Sequence, residues 1–174
     1  MIKWEEVKES TGGEKLPNGC YVGKVVSAVD YPAKEYVRME IDIAEGDFAD
    51  HFAERGWSGR YWYASYKETA LGMFKSMFLR FEESNPGWKF NGDEHDAGQF
   101  RGQIVGIVLR EEEYEQNGEV KCSQKIGKLV AAQDVRNGSA KPMEKKTLDG
   151  GRASGGFGAV VDASTSADDE YIPF

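Results

Sequence analysis

The spacing of apolar residues switches at residue 68 from steps of two to steps of three and four, and it switches back beyond residue 87. That switch limits the folds open to the chain. Leu71, Phe74, Met77, Phe78 and Phe81 recur at helical spacing across residues 68–84, and Asn85-Pro86-Gly87 stops the helix. Before it, residues 21–30 read as a strand rich in β-branched side chains, entered through the turn Pro17-Asn18-Gly19, with Gly23 suggesting a bulge or bend. Residues 36–43 alternate: Val37, Met39, Ile41 and Ile43 point to a core, and Tyr36, Arg38, Glu40 and Asp42 to water. Residues 47–55 suggest a short helical turn ending at Gly56, and residues 60–66 form a third, aromatic strand. After the helix come strands at 103–114 and 120–135, joined by the hairpin turn Gln116-Asn117-Gly118.

The order β-β-β-α-β-β predicts an all-β fold with one helix, the five-stranded Greek-key barrel called the OB-fold, with the helix capping one end. Another small α+β barrel, or a sandwich with an inserted helix, would share that order. Near residue 137 the composition changes to Asn137-Gly138-Ser139, Gly150-Gly151, Gly155-Gly156-Phe157-Gly158 and Ser164-Thr165-Ser166. Such sequence buries too little apolar surface to offset the entropy of ordering it. Three parts are therefore expected: a barrel over 1–136, a flexible linker over 137–167, and a tip over 168–174, the last two forming a disordered tail.

Several function classes are disfavoured. No run approaches the ~18 apolar residues of a membrane span, and Met1-Ile2-Lys3-Trp4-Glu5-Glu6 lacks the apolar region of a signal peptide. A soluble protein of the cytoplasm, with no membrane partner, is expected. Cys20 and Cys122 form neither a disulfide framework nor a C-x-x-C pair, and His51 and His95 share no ligand spacing with them, so no metal is expected. There is no G-x-S-x-G, no Walker-type glycine loop and no His-Glu metal helix; no catalytic residue, no enzyme activity and no cofactor are expected.

The stretch from Arg55 to Lys67 points elsewhere. It holds Trp57, Tyr61, Trp62, Tyr63 and Tyr66 with Arg55, Arg60 and Lys67, and no acid. Both faces of one short strand are aromatic, and a barrel can bury only one of them. Rings left outside on the second and third strands stack on any nucleobase, while neighbouring cations hold phosphates. The candidate contacts are Tyr36, Arg38, Arg60, Tyr61, Trp62, Tyr63, Tyr66, Lys67, Lys121 and Lys125, with Lys128 and Lys34 along the groove walls. Aromatic strand residues more commonly pack in cores or across strands, so the case rests on their crowding. The chain carries a net charge of −8; four of its 22 cations and six of its 30 acids lie beyond residue 140, leaving 18 against 24. That balance argues against a duplex coat and only weakly against a binder that relies on stacking.

The last seven residues, Asp168-Asp169-Glu170-Tyr171-Ile172-Pro173-Phe174, resemble the acidic tip of bacterial single-stranded DNA-binding proteins, which ends Asp-Asp-Asp-Ile-Pro-Phe. Here one Asp is Glu and Tyr171 is inserted. The folded part is more similar to the single-stranded DNA-binding proteins of tailed bacteriophages and prophages. That likeness lies in Glu35-Tyr36-Val37-Arg38-Met39-Glu40-Ile41-Asp42-Ile43-Ala44-Glu45-Gly46, and in Ser65-Tyr66-Lys67-Glu68 leading to Glu82-Glu83-Ser84-Asn85-Pro86-Gly87. The resemblance implies a barrel that coats single-stranded DNA during phage replication and recombination in the host cytoplasm. It also implies a tip whose Ile172, Pro173 and Phe174 dock into basic-rimmed pockets of replication, recombination and repair proteins, with the acids supplying attraction. A protein-interaction adaptor without nucleic-acid binding and an RNA-binding or RNA-processing protein are the alternatives, and the sequence leaves homo-oligomerisation open.

Overall fold

The computed structural model describes residues 1–7, 16–57 and 59–148. Five antiparallel strands run β1 (Gly19–Tyr31), β2 (Tyr36–Ile43), β3 (Arg60–Ser65), β4 (Ile104–Gln116) and β5 (Glu119–Val130), with helix α1 (Leu71–Ser84) between β3 and β4. A short helix, α2 (Ala132–Arg136), follows β5. The sheet order is β3-β2-β1-β4-β5, and the outer strands β3 and β5 approach within 8 Å to close a barrel-like, OB-like fold.

The bend that allows closure is built into β1. Its first half pairs with β4 and its second half with β2, and the β2 register shifts between Val25 and Ser27. The bulge thus falls at Val26, not at Gly23. Gly23 meets a different need, because it is paired on both sides, to Ile43 and Val105. A Cβ there would lie 2.6 Å from Ile41 Cγ2, so only glycine lets the two walls of the core approach.

The core follows the alternation of β2: Val37, Met39, Ile41 and Ile43 are fully buried, joined by Val25, Val105, Ile107 and Leu109. The opposite side of β2 differs from expectation. Tyr36 and Asp42, read as facing water, are both buried, for reasons given below. Helix α1 closes one end with Phe74, Met77 and Phe81, while Phe78 stacks on Phe90 at 4.4 Å. Leu71, expected in that stripe, is exposed; Ala70, one residue earlier, takes the inward position. Asn85 ties the helix end to the sheet. Its Nδ2 donates to the carbonyls of Phe81 and Ile104, and its Oδ1 accepts from the Ile104 N–H.

The 116–118 hairpin is as expected, with Asn117 and Gly118 both at positive φ, the geometry of a tight primed turn. The last strand ends at Val130 rather than near 135, because the chain turns into α2, whose Ala132 N–H donates to the Ser84 hydroxyl at 2.9 Å. Of the residues expected as the beginning of the linker, 137–140 fold back on α2, with the Ala140 N–H on the Asp134 carbonyl, and 145–148 run beside the hairpin. Lys146 pairs in parallel with Glu112, donating its N–H to Glu111 O and accepting from Glu113 N. The Lys145 ammonium lies 3.0 Å from the Glu113 carboxylate. Residues 149–174, with the remaining linker and the whole tip Asp168–Phe174, lie outside the described residues. Among the described residues no helix is long and apolar enough to cross a membrane.

Candidate nucleic-acid interface

The pairing of β2 with β3 settles which rings face out. Arg38 lies opposite Tyr63 and Glu40 opposite Tyr61, while Met39 lies opposite Trp62 and Ile41 opposite Arg60. Residues directly opposite share a face. Tyr61 and Tyr63 therefore stand on the outside with Arg38, and Trp62 and Arg60 point to the core side. On β1, Val29 and Tyr31 pair with Arg38 and Tyr36 and join the outer face.

On that face four tyrosines form a continuous row. Ring centroids are 5.2 Å apart from Tyr31 to Tyr36, 5.4 Å from Tyr36 to Tyr63 and 6.1 Å from Tyr63 to Tyr61. The Arg38 guanidinium is set between the ends of the row, 5.3 Å from the Tyr31 ring centre and 4.9 Å from that of Tyr61. It also lies 3.7 Å from Glu40. Tyr61 is 44% exposed and Val29 40%, so the surface is open at both strands. Burial pushes the Tyr63 hydroxyl up to about 12, partly offset by Arg38, so this phenol stays uncharged across the physiological range.

The geometry buries some of the expected contacts and leaves others exposed. Tyr36 belongs to the outer row, but Tyr31 and Tyr63 cover it and leave it 2% exposed, too little to receive a base. Trp62 packs against the core, with its Nε1 buried and unpartnered among the described residues. Arg60 is half-buried over the Phe52 ring at 5.3 Å, and loss of hydration lowers its pKa. Tyr66 lies past the end of β3, is 9% exposed and turns inward; burial and its bond to Asp30 raise its pKa. Lys67 is half-buried at the entrance to the helix. Lys121 and Lys125 are exposed on the half of β5 next to the hairpin turn; Lys121 donates to Gln116 at 3.0 Å and Lys125 lies 3.5 Å from Glu112. Lys128 and Lys34 are exposed, Lys34 in the β1–β2 turn.

Two further rings were not among the expected contacts. Tyr31 ends β1, one residue beyond the strand the sequence suggests, and faces Tyr36 across a four-residue turn. Trp57, in the β2–β3 connection, is 58% exposed. A ring immediately before Pro32, opposite Tyr36, is the signal that could have found the first. Nothing in the periodicity marks the second.

Asp30 pairs with Val37 and so lies on the core side of β1, opposite to the tyrosine row. Its carboxylate accepts from the Tyr66 hydroxyl at 2.7 Å and pairs with His95 Nδ1 at 2.9 Å. That bond holds the His95 pKa above its ordinary value of 6.5, with smaller contributions from Asp30 charge, Glu94 and Asp93. A folded pKa raised above the unfolded one gives stability fully present below 6.5 and lost as pH rises through the raised value. The difference in thermal stability between wild type and His95→Ala should therefore shrink from pH 6 to about pH 8.5. The imidazole titration followed by NMR should fall back toward 6.5 in Asp30→Asn; a midpoint at or below 6.5 in the wild type would contradict the assignment.

No protein-family model matches this chain, and no curated protein matches it.

Proposed function

We propose that this protein binds single-stranded DNA across the outer face of β1, β2 and β3, without strong sequence preference and without catalysis. The observation that carries the reading is the tyrosine row with Arg38 lodged between Tyr31 and Tyr61. An exposed ring offers a base a flat apolar surface, and each stacked base contributes roughly 1–3 kcal/mol whatever its identity. The Arg38 guanidinium supplies positive charge beside the rings, with Glu40 3.7 Å away as the acid a phosphate would compete with. A face of rings has no use for a base still paired inside a duplex, which agrees with the overall negative charge. In this reading the protein coats exposed DNA during replication or recombination, and the tip from Asp168 to Phe174 recruits partner proteins, as the resemblance of that segment implies.

The test is a titration of labelled oligo-dT, oligo-rU and duplex DNA with the full chain at two salt concentrations. Oligo-dT should bind at micromolar protein or below at low salt, with duplex far weaker. No anisotropy change with oligo-dT under those conditions would refute the reading and favour an adaptor that binds polypeptide.

A further inference from the structure

The β2–β3 connection ends in a small stack. Phe52, 1% exposed, belongs to the core, and the Trp57 indole lies nearly parallel to it, with ring centroids 6.4 Å apart and planes 17° apart. Phe52 also receives the Arg60 guanidinium at 5.3 Å. Trp57 thus has a rigid backing, yet more than half of its surface remains in water.

The loop holds this arrangement tightly. The Asp42 carboxylate accepts from the N–H groups of Phe52 at 2.9 Å and Ala53 at 3.0 Å. The Trp57 N–H donates to the Phe52 carbonyl at 2.9 Å, and the Arg55 guanidinium donates to the His51 carbonyl at 2.9 Å. Gly56 takes the left-handed conformation at φ 75°. At Gly59, with φ 150°, a Cβ would come 2.5 Å from the Ile41 carbonyl oxygen, so no side chain fits where β3 begins. An indole kept wet on a fixed loop costs hydrophobic free energy, which a stacking partner would recover.

We infer that Trp57 is a second base-stacking station, separate from the tyrosine row, whose ligand is an unpaired nucleobase of the same strand. The inference rests on the single-stranded DNA reading above. Tyr61 is four residues along the chain, so the two Cα atoms lie within ~14 Å of each other, a span that a few nucleotides of one strand can bridge. Arg55, exposed two residues before Trp57 and held through one guanidinium nitrogen by His51, would supply the cation for a neighbouring phosphate.

The experiment uses the full chain with Trp57→Leu, which keeps an apolar cover on Phe52 but removes the ring, and Trp57→Phe, which keeps a ring. Far-UV circular dichroism and a thermal melt check folding. Oligo-dT should bind Trp57→Leu roughly 5- to 100-fold more weakly than wild type, and Trp57→Phe should recover most of that loss. Oligo-dT should also quench tryptophan emission in the wild type, with most of the quenching gone in Trp57→Phe. If Trp57→Leu binds oligo-dT as the wild type does, the inference is overturned and the tyrosine-row reading stands. If the wild type does not bind oligo-dT, the underlying reading has failed. Quenching by an apolar or aromatic peptide in its place would make the stack a protein-docking point and also overturn the inference.

Discussion

Replacing Tyr61 by alanine is expected to weaken oligo-dT binding by roughly 5- to 150-fold, the range for one lost base stack. Tyr61 is the most exposed ring of the outer row, at 44%, and stands opposite Glu40. Its removal takes away the stacking surface and also one of the two rings that hold the Arg38 guanidinium, 4.9 Å from its centre. Arg38 would keep its contact with the Tyr31 ring at 5.3 Å and with Glu40 at 3.7 Å, both already present in the wild type. Tyr61→Phe keeps the ring face and should retain most of the affinity. Because the side chain is exposed, the melting temperature should change little in either variant. Fluorescence anisotropy at low salt measures the first effect, and wild-type affinity in Tyr61→Ala would remove this ring from the binding face.

The largest effect on stability is expected at Asp42. Its carboxylate, 1% exposed, accepts from three main-chain N–H groups: Ile43 at 2.8 Å, Phe52 at 2.9 Å and Ala53 at 3.0 Å. Alanine would leave buried donors unsatisfied, at about 1–3 kcal/mol each where water cannot reach them. A total loss of about 3 kcal/mol corresponds to a melting temperature lower by roughly 6–12 °C in a chain of this size. The same substitution frees the loop that presents Trp57, so binding should also fall, whereas Asp42→Asn keeps one acceptor oxygen and should lie between. A melt of Asp42→Ala superimposable on the wild type would show that the loop is held by other means.

The strand order and the inward face of β2 could be read from the sequence because both depend on local periodicity: Val37, Met39, Ile41 and Ile43 alternate without interruption and all reach zero exposure. The other face of β2 could not, since its burial is decided by distant residues. Asp42 is covered by main chain that returns ten and eleven positions later, and Tyr36 by rings on two different strands. In β3 alternation was silent for a different reason. Both sets of side chains are aromatic, so only the register of Trp62 against Met39 decides which set enters the core. Tyr66 lies where the strand has ended and alternation no longer applies. The parallel pairing of Lys146 with Glu112 depends on an edge of β4 that β1 leaves uncovered beyond Leu109, a consequence of topology and not of composition.

Ultraviolet crosslinking of oligo-dT to the full chain, with the attached peptides mapped by mass spectrometry, puts the location of the bases to direct trial. Crosslinks should concentrate on Tyr61 and its neighbours Tyr31 and Tyr63, on the outer side of the first three strands. Crosslinks confined to the helix covering the barrel end, or none under conditions where a known single-strand binder reacts, would contradict it.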